Sequence, residues 1–147
     1  MAEARQRFTA ARVAVLATVD RGGRPHLVPV TFAVSGDLVV TAVDRKPKRT
    51  PHMKRLTNIA ANPSVCLLVE HWDEDWQLLW WVRADGEARL LPDPAAAGHC
   101  AAAGLLTAKY AQYADLPPDG TVIQVAVRRW LGWSARPGPG GRPQRFR

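Results

Sequence analysis

Turn signals cut this chain into short β-prone segments, without the regular alternation of strand and helix that a parallel sheet requires. Double glycine in Arg21-Gly22-Gly23-Arg24-Pro25 permits the positive φ of a tight hairpin, so residues 13–19 are expected to reverse into residues 26–34. Ser35-Gly36-Asp37 is a second such turn, leading to residues 38–43. A three-stranded antiparallel meander is the expectation for this part. Asn62-Pro63 precedes a strand over 64–70, and residues 77–82 and 87–91 make a longer extended segment with Asp85-Gly86 as a bend or bulge. Residues 121–127 alternate Val and Ile, and 130–135 give a last short strand.

Helices fall between these segments. Residues 2–10 suit a short amphipathic helix that presents Phe8 to a core. Thr50-Pro51 reads as an N-cap followed by proline in the first turn, with helix through Ala61. Asp93-Pro94 repeats the signal before alanine-rich sequence that runs to Tyr113. Six or seven strands with helices inserted irregularly predict an α+β fold, mainly an antiparallel barrel.

At 147 residues and 47% hydrophobic, the chain has the material for one core, expected over residues 1–135. Its net charge of +7 overstates how basic that part is: Arg136, Arg142, Arg145 and Arg147 lie in a stretch without acids, leaving 7 − 4 = +3. Residues 136–147, rich in glycine and proline and without hydrophobic periodicity, read as a disordered basic tail. Cys66 and Cys100 stand far apart without metal or redox spacing and read as reduced thiols. With no apolar leader and no apolar stretch of bilayer length, the expectation is a soluble, cytoplasmic protein with no membrane partner.

Charge is concentrated elsewhere. Six of the eleven residues from Arg45 to Arg55 are basic, and the prolines in Lys46-Pro47-Lys48-Arg49-Thr50-Pro51 keep most of them on a loop. Cations beside a helix entrance favour phosphate or carboxylate, through local charge and unpaired N–H donors together. A solvated basic surface is the alternative reading.

Other candidates carry less chemistry. His26, His52, His71 and His99 lack a second ligand at metal spacing, so no metal site is expected, and Asp73, Glu74 and Asp75 read as a solvated acidic loop. Trp72, Trp76, Trp80 and Trp81 cluster around one loop and strand; if extended, Trp80 and Trp81 face opposite sides, one toward a core and the other toward a flat ligand or a subunit interface. Because the cations and tryptophans are separated in sequence, a nucleic-acid stacking platform is disfavoured, whereas a ligand with one aromatic and one anionic end suits them. Nucleotide-binding, nucleophile-elbow and zinc-protease motifs are absent.

The order of these parts, ATVDRGGRPHLVPVTF, then the strand ending in Thr41, NIAANPSVCLLV, and LWWVRADGEARLL, resembles the pyridoxamine 5′-phosphate oxidase-like split-barrel flavoproteins. It is most similar to their actinobacterial branch that uses the deazaflavin coenzyme F420, over about residues 11–135. The resemblance implies a split β-barrel homodimer with the cofactor in a groove at the interface. It implies that Lys46, Lys48 and Arg49 hold the cofactor phosphate or acidic tail, that Pro29, Val30 and Thr31 flank the tricyclic ring, and that Thr41 lies nearby. Trp81 occupies a place where FMN-using relatives often carry a polar contact. The implied activity is hydride transfer between reduced deazaflavin and a conjugated organic substrate, with no protein nucleophile; Tyr110, Tyr113 and His71 are candidate proton donors. An FMN oxidase or reductase on the same fold, or a non-enzymatic cofactor or nucleic-acid binder, are the alternatives.

Overall fold

The computed structural model describes residues 3–43, 54–138 and 140–147. Its elements are α1 (Glu3–Ala10), β1 (Ala14–Val19), β2 (Pro25–Val30), β3 (Ala33–Ser35), β4 (Leu38–Ala42), α2 (Lys54–Ala61), β5 (Ser64–His71), β6 (Trp80–Leu91), α3 (Ala97–Lys109), β7 (Val122–Pro137) and β8 (Pro143–Phe146). Every pairing is antiparallel, in the order β2-β1-β5-β6-β7-β4-β3, with β8 added on β7. The chain is therefore α+β and mainly antiparallel sheet.

Closure follows from connectivity. The two ends of the seven-strand path, β2 and β3, are linked only by Thr31 and Phe32, so the sheet must curl until its edges meet. The seam between them is not a hydrogen-bonded ladder among the described residues, which makes the barrel split. This differs from the expected meander: residues 26–34 do not form one strand, because the chain leaves β1 at Val30 and joins β4 from Ala33. The β1–β2 turn itself matches expectation. Gly23 has φ +81°, and the Asp20 carboxylate accepts from the Gly22 and Arg24 N–H groups at 2.8 and 2.9 Å.

Alternation puts one face of each strand inside. Leu16, Val30, Val39, Leu67, Val82 and Val125 share one buried cluster, and α1 plugs it with Ala4 and Phe8, one turn apart. Phe8 meets Phe32 at 4.9 Å and Trp130 edge-on at 5.2 Å between ring centres. Helix α2 adds Ile59, and its buried Asn58 amide donates to Thr18 Oγ1 at 3.0 Å, tying the helix to β1. A second cluster lies on the opposite face of β4, where Val40 and Ala42 meet Ala102 and Leu106 of α3.

Strands β6 and β7 form the longest ladder, with a register shift at Asp85/Gly86 as expected. Asp85 pairs with Arg129 and Gly86 with Val127, which leaves Arg128 as the extra, bulged residue. Residues 121–127 and 130–135 are thereby one strand rather than two. Glycine is needed at 86, since a Cβ there would lie 2.3 Å from the Ala126 carbonyl oxygen.

Other boundaries move for local reasons. Asp93 accepts from the Ala95 N–H at 2.9 Å and closes a turn, so α3 begins at Ala97 instead of directly after Asp93. It ends at Lys109, and a 3₁₀ turn follows at Ala111–Tyr113. Asp75 caps another 3₁₀ turn at Trp76–Leu78, which removes Gln77 and Leu78 from the expected strand. The start proposed for α2 at Thr50-Pro51 lies outside the described residues. The terminal residues depart from the expected disordered tail: β8 pairs with Gly132, Trp133 and Ser134, and Phe146 packs against the core under the Arg7 guanidinium, 4.9 Å away. That partner is a distant strand, which local composition does not reveal.

Candidate functional site

The helices leave one sheet face bare. Helices α1 and α2 feed the inner cluster and α3 covers the outer face of β4, but among the described residues no helix packs on the outer face of β2, β1, β5 and the paired halves of β6 and β7. Register arranges this face in rows. One row runs Pro29, Val15, Leu68, Arg83, Leu131; the next runs Leu27, Ala17, Cys66, Asp85, Arg129; a third runs Glu70, Trp81, Trp133. Leu27 is 67% exposed and Leu68 37%, in a strand system whose inner face carries the buried core. Strands apolar on both faces are made to be covered on both.

Polar groups are held in fixed places on this face. Arg83 donates to both Asp85 oxygens at 2.6 and 3.1 Å, and Arg129 adds 2.8 and 3.1 Å contacts to Oδ2. Burial works to raise the Asp85 carboxyl, yet the two guanidiniums outweigh it and hold the group below its ordinary value. Burial pushes the Cys66 thiol up and Asp85 adds to the effect, which makes Cys66 a poor nucleophile.

Pro29 and Trp81 of the predicted cofactor residues lie on the same bare face but not in contact, roughly 15 Å apart across three strand spacings. Val30, 6% exposed, and Thr41, 2% exposed, point into the barrel, so their side chains are withdrawn from a ligand on the outer face. Thr31 lies in the seam with its Oγ1 3.1 Å from the Tyr113 hydroxyl. Lys46, Lys48 and Arg49 lie outside the described residues. Trp80 and Trp81 do take opposite sides of β6: Trp80 packs at the edge of the inner core.

The three proton-donor candidates separate. Tyr110 is committed to structure. Its hydroxyl accepts from the Phe32 N–H at 3.1 Å and lies 2.8 and 3.0 Å from the Arg12 and Phe32 carbonyls, pinning the seam to α3. Lys109 beside it donates to the Thr9 and Ala11 carbonyls at 3.1 and 2.7 Å and sits 3.8 Å from the Phe32 ring centre. Burial, with Arg12 adding, lowers its ammonium to about 8. Tyr113 is the hydroxyl left facing Thr31. His71 stacks on Trp80 on the other side of β6. His99 is a core residue, its Nε2 2.7 Å from the Gly120 carbonyl oxygen. Among the described residues no group of three or more His, Cys, Asp or Glu is arranged to hold a metal.

Sequence reasoning missed the bare face and the Tyr110–Lys109 clamp. A signal for the first was present: Leu27 and Pro29 alternate with Val28 and Val30, so β2 is apolar on both sides. The clamp spans 78 residues and left no local trace.

The profile of the pyridoxamine 5′-phosphate oxidase family matches residues 1–134, nearly the whole chain. The chain belongs to this family. Solved structures agree on the fold. A protein from Mesorhizobium loti described as FAD-binding is 22% identical, with a TM-score of 0.69 over 88% of this chain and 91% of that one. The FAD binding protein from Mycobacterium smegmatis is 20% identical, with a TM-score of 0.62 over 99% and 95%. A heme storage protein from Vibrio cholerae is 16% identical, with a TM-score of 0.67 over 86% and 87%. No curated protein matches the chain. At these identities the likeness establishes the split barrel for this family member and leaves the ligand to its own residues. No helix among the described residues is long and apolar enough to cross a membrane.

Proposed function

We propose that this family member is an F420-dependent oxidoreductase, working as a homodimer whose two bare sheet faces meet and enclose the cofactor. The observation that carries the reading is the uncovered apolar face with Trp81 and Pro29 on it. Strand β4 leads from that barrel into the segment Arg45–Arg55, whose six cations suit an anionic cofactor tail. A flat ring is placed on the face that carries Trp81 and Pro29, and β2 lies on the outer edge of the path, where a strand keeps open hydrogen-bonding groups for a ligand. When bound, the reduced deazaflavin supplies the hydride.

The chain's own residues bind, orient and exclude water. Lys46, Lys48 and Arg49 neutralise the tail; Trp81, Pro29 and Thr31 set the ring plane; Thr41 supports the strand end behind it. Tyr113 is the side chain we assign to proton delivery, as its hydroxyl faces Thr31 and lacks the backbone commitments of Tyr110. The protein acts in the cytoplasm, where its thiols stay reduced.

A flavin is the second reading, favoured by the names of two similar structures, both FAD-binding. Parallel titrations with F420, FMN and FAD, followed by tryptophan quenching, separate the two. Selective F420 binding that Lys48→Ala weakens roughly tenfold or more, by loss of a charge-assisted contact, supports the first reading. Selective flavin binding moves the protein to the second, and unchanged F420 affinity in Lys48→Ala removes the tail assignment.

A further inference from the structure

On the side of β6 opposite Trp81, a cleft of about 270 Å³ opens between α1, the start of β6 and the end of β7, lined by Arg7, His71, Gln77, Trp80, Ser134 and Arg136. We propose that it is a second binding site, which takes a small flat carboxylate. This goes beyond the cofactor reading, since the sheet itself separates the two places.

Three observations converge. The first is charge. Arg7 is paired with Glu3 at 2.7 Å and His71 has Asp73 at 3.8 Å, and neither acid lines the cleft itself. Arg136 has no carboxylate partner among the described residues, so the cleft keeps an uncompensated guanidinium. The second is a buried donor. Ser134 is 5% exposed, and its Oγ accepts from the Arg136 N–H at 3.3 Å. Its own O–H remains to be donated, and with the Gln77 amide and the guanidiniums it makes a set of donors without a carboxylate among the lining residues. The third is shape. The His71 and Trp80 rings lie 14° from parallel with centres 5.9 Å apart, and Arg7 covers Trp80 at 5.4 Å, so one side of the cleft is a layered stack of aromatic and cationic groups. The volume is slightly below the range of roughly 300–1,000 Å³ typical of drug-sized ligands, which fits a single-ring acid.

The test is a titration of the full chain with benzoate, benzamide and acetate, read at the Trp80 indole N–H in a ¹H–¹⁵N spectrum assigned with Trp80→Phe. Benzoate is expected to shift this signal saturably, with benzamide and acetate at least roughly tenfold weaker. Arg136→Ala is expected to weaken benzoate by a similar factor, and Arg142→Ala, which removes the same charge outside the cleft, to leave it unchanged. Equal affinity for benzamide or acetate overturns the ligand class. No saturable Trp80 shift, or equal effects of the two arginine variants, overturns the site.

Discussion

The Tyr110 hydroxyl stands among three backbone groups from two separate parts of the chain, Arg12 and Phe32, and nothing else in reach replaces it there. Tyr110→Phe should therefore cost roughly 1 kcal/mol of folding stability, the usual result of losing a hydrogen bond to partly buried backbone groups, as measured by urea denaturation. Tyr113→Phe should leave stability nearly unchanged and lower turnover with F420 and a reducible substrate; equal turnover in the two proteins would end its assignment to proton delivery. Lys109 titrates at about 8 in the folded chain against 10.5 for the free group. The unfolded chain then holds the extra proton between these values, so this residue makes stability rise with pH from about 8 toward 10.5. Urea midpoints at pH 8 and pH 10 check the sign, and Lys109→Met should flatten the rise. None of this was legible beforehand, because Lys109 and Tyr110 look like an ordinary helix end until α1 and the seam are placed against them.

At the scale of elements, the bulge and the terminal strand behave differently because their neighbours do. Gly86→Ala would drive a methyl group into the Ala126 backbone carbonyl, which cannot rotate away, so β6 and β7 must separate locally. We expect a loss of about 1–3 kcal/mol, the range for overpacking a tight site, seen as a lower denaturant midpoint. Gly132→Ala meets the Phe146 ring instead, and that ring sits on the four-residue strand β8 at the chain terminus. The expected outcome is release of β8 with the barrel intact, measurable as faster amide exchange over residues 143–146. The Asp85-Gly86 bend was readable from its dipeptide. The pairing of β8 was not, since glycine and proline density describes the chain locally and says nothing about an open strand edge elsewhere.

For the whole molecule, the proposed association rests on the rows of the outer sheet face. Leu68 lies in the middle of the row that starts at Pro29, and burial of two such rows against each other would remove apolar surface worth about 25 cal/mol per Å². Leu68→Asp should keep the barrel, because the side chain points away from the core, and, if the proposed dimer forms through this face, should leave the protein monomeric in sedimentation equilibrium and weaken F420. A variant that remains dimeric would place the interface elsewhere.

The sequence by itself determined the class of fold and most of its elements. Hairpin glycines, β-branched runs and cap-plus-proline signals are local chemistry, and local chemistry is written in order along the chain. It also located the cations at 45–55 and the opposite facing of Trp80 and Trp81, which follows from the two-residue repeat of a strand. Only the tertiary structure decided that residues 26–34 split into the two edges of a barrel, that Thr41 and Val30 turn inward while Pro29 and Trp81 share a face, and that Ser134 and Arg136 meet Arg7 and Trp80 around a cleft. The last two join residues separated by tens of positions and the first depends on which strand edges the closing sheet brings together, so all are selected by sheet closure and packing, which no window of the sequence contains.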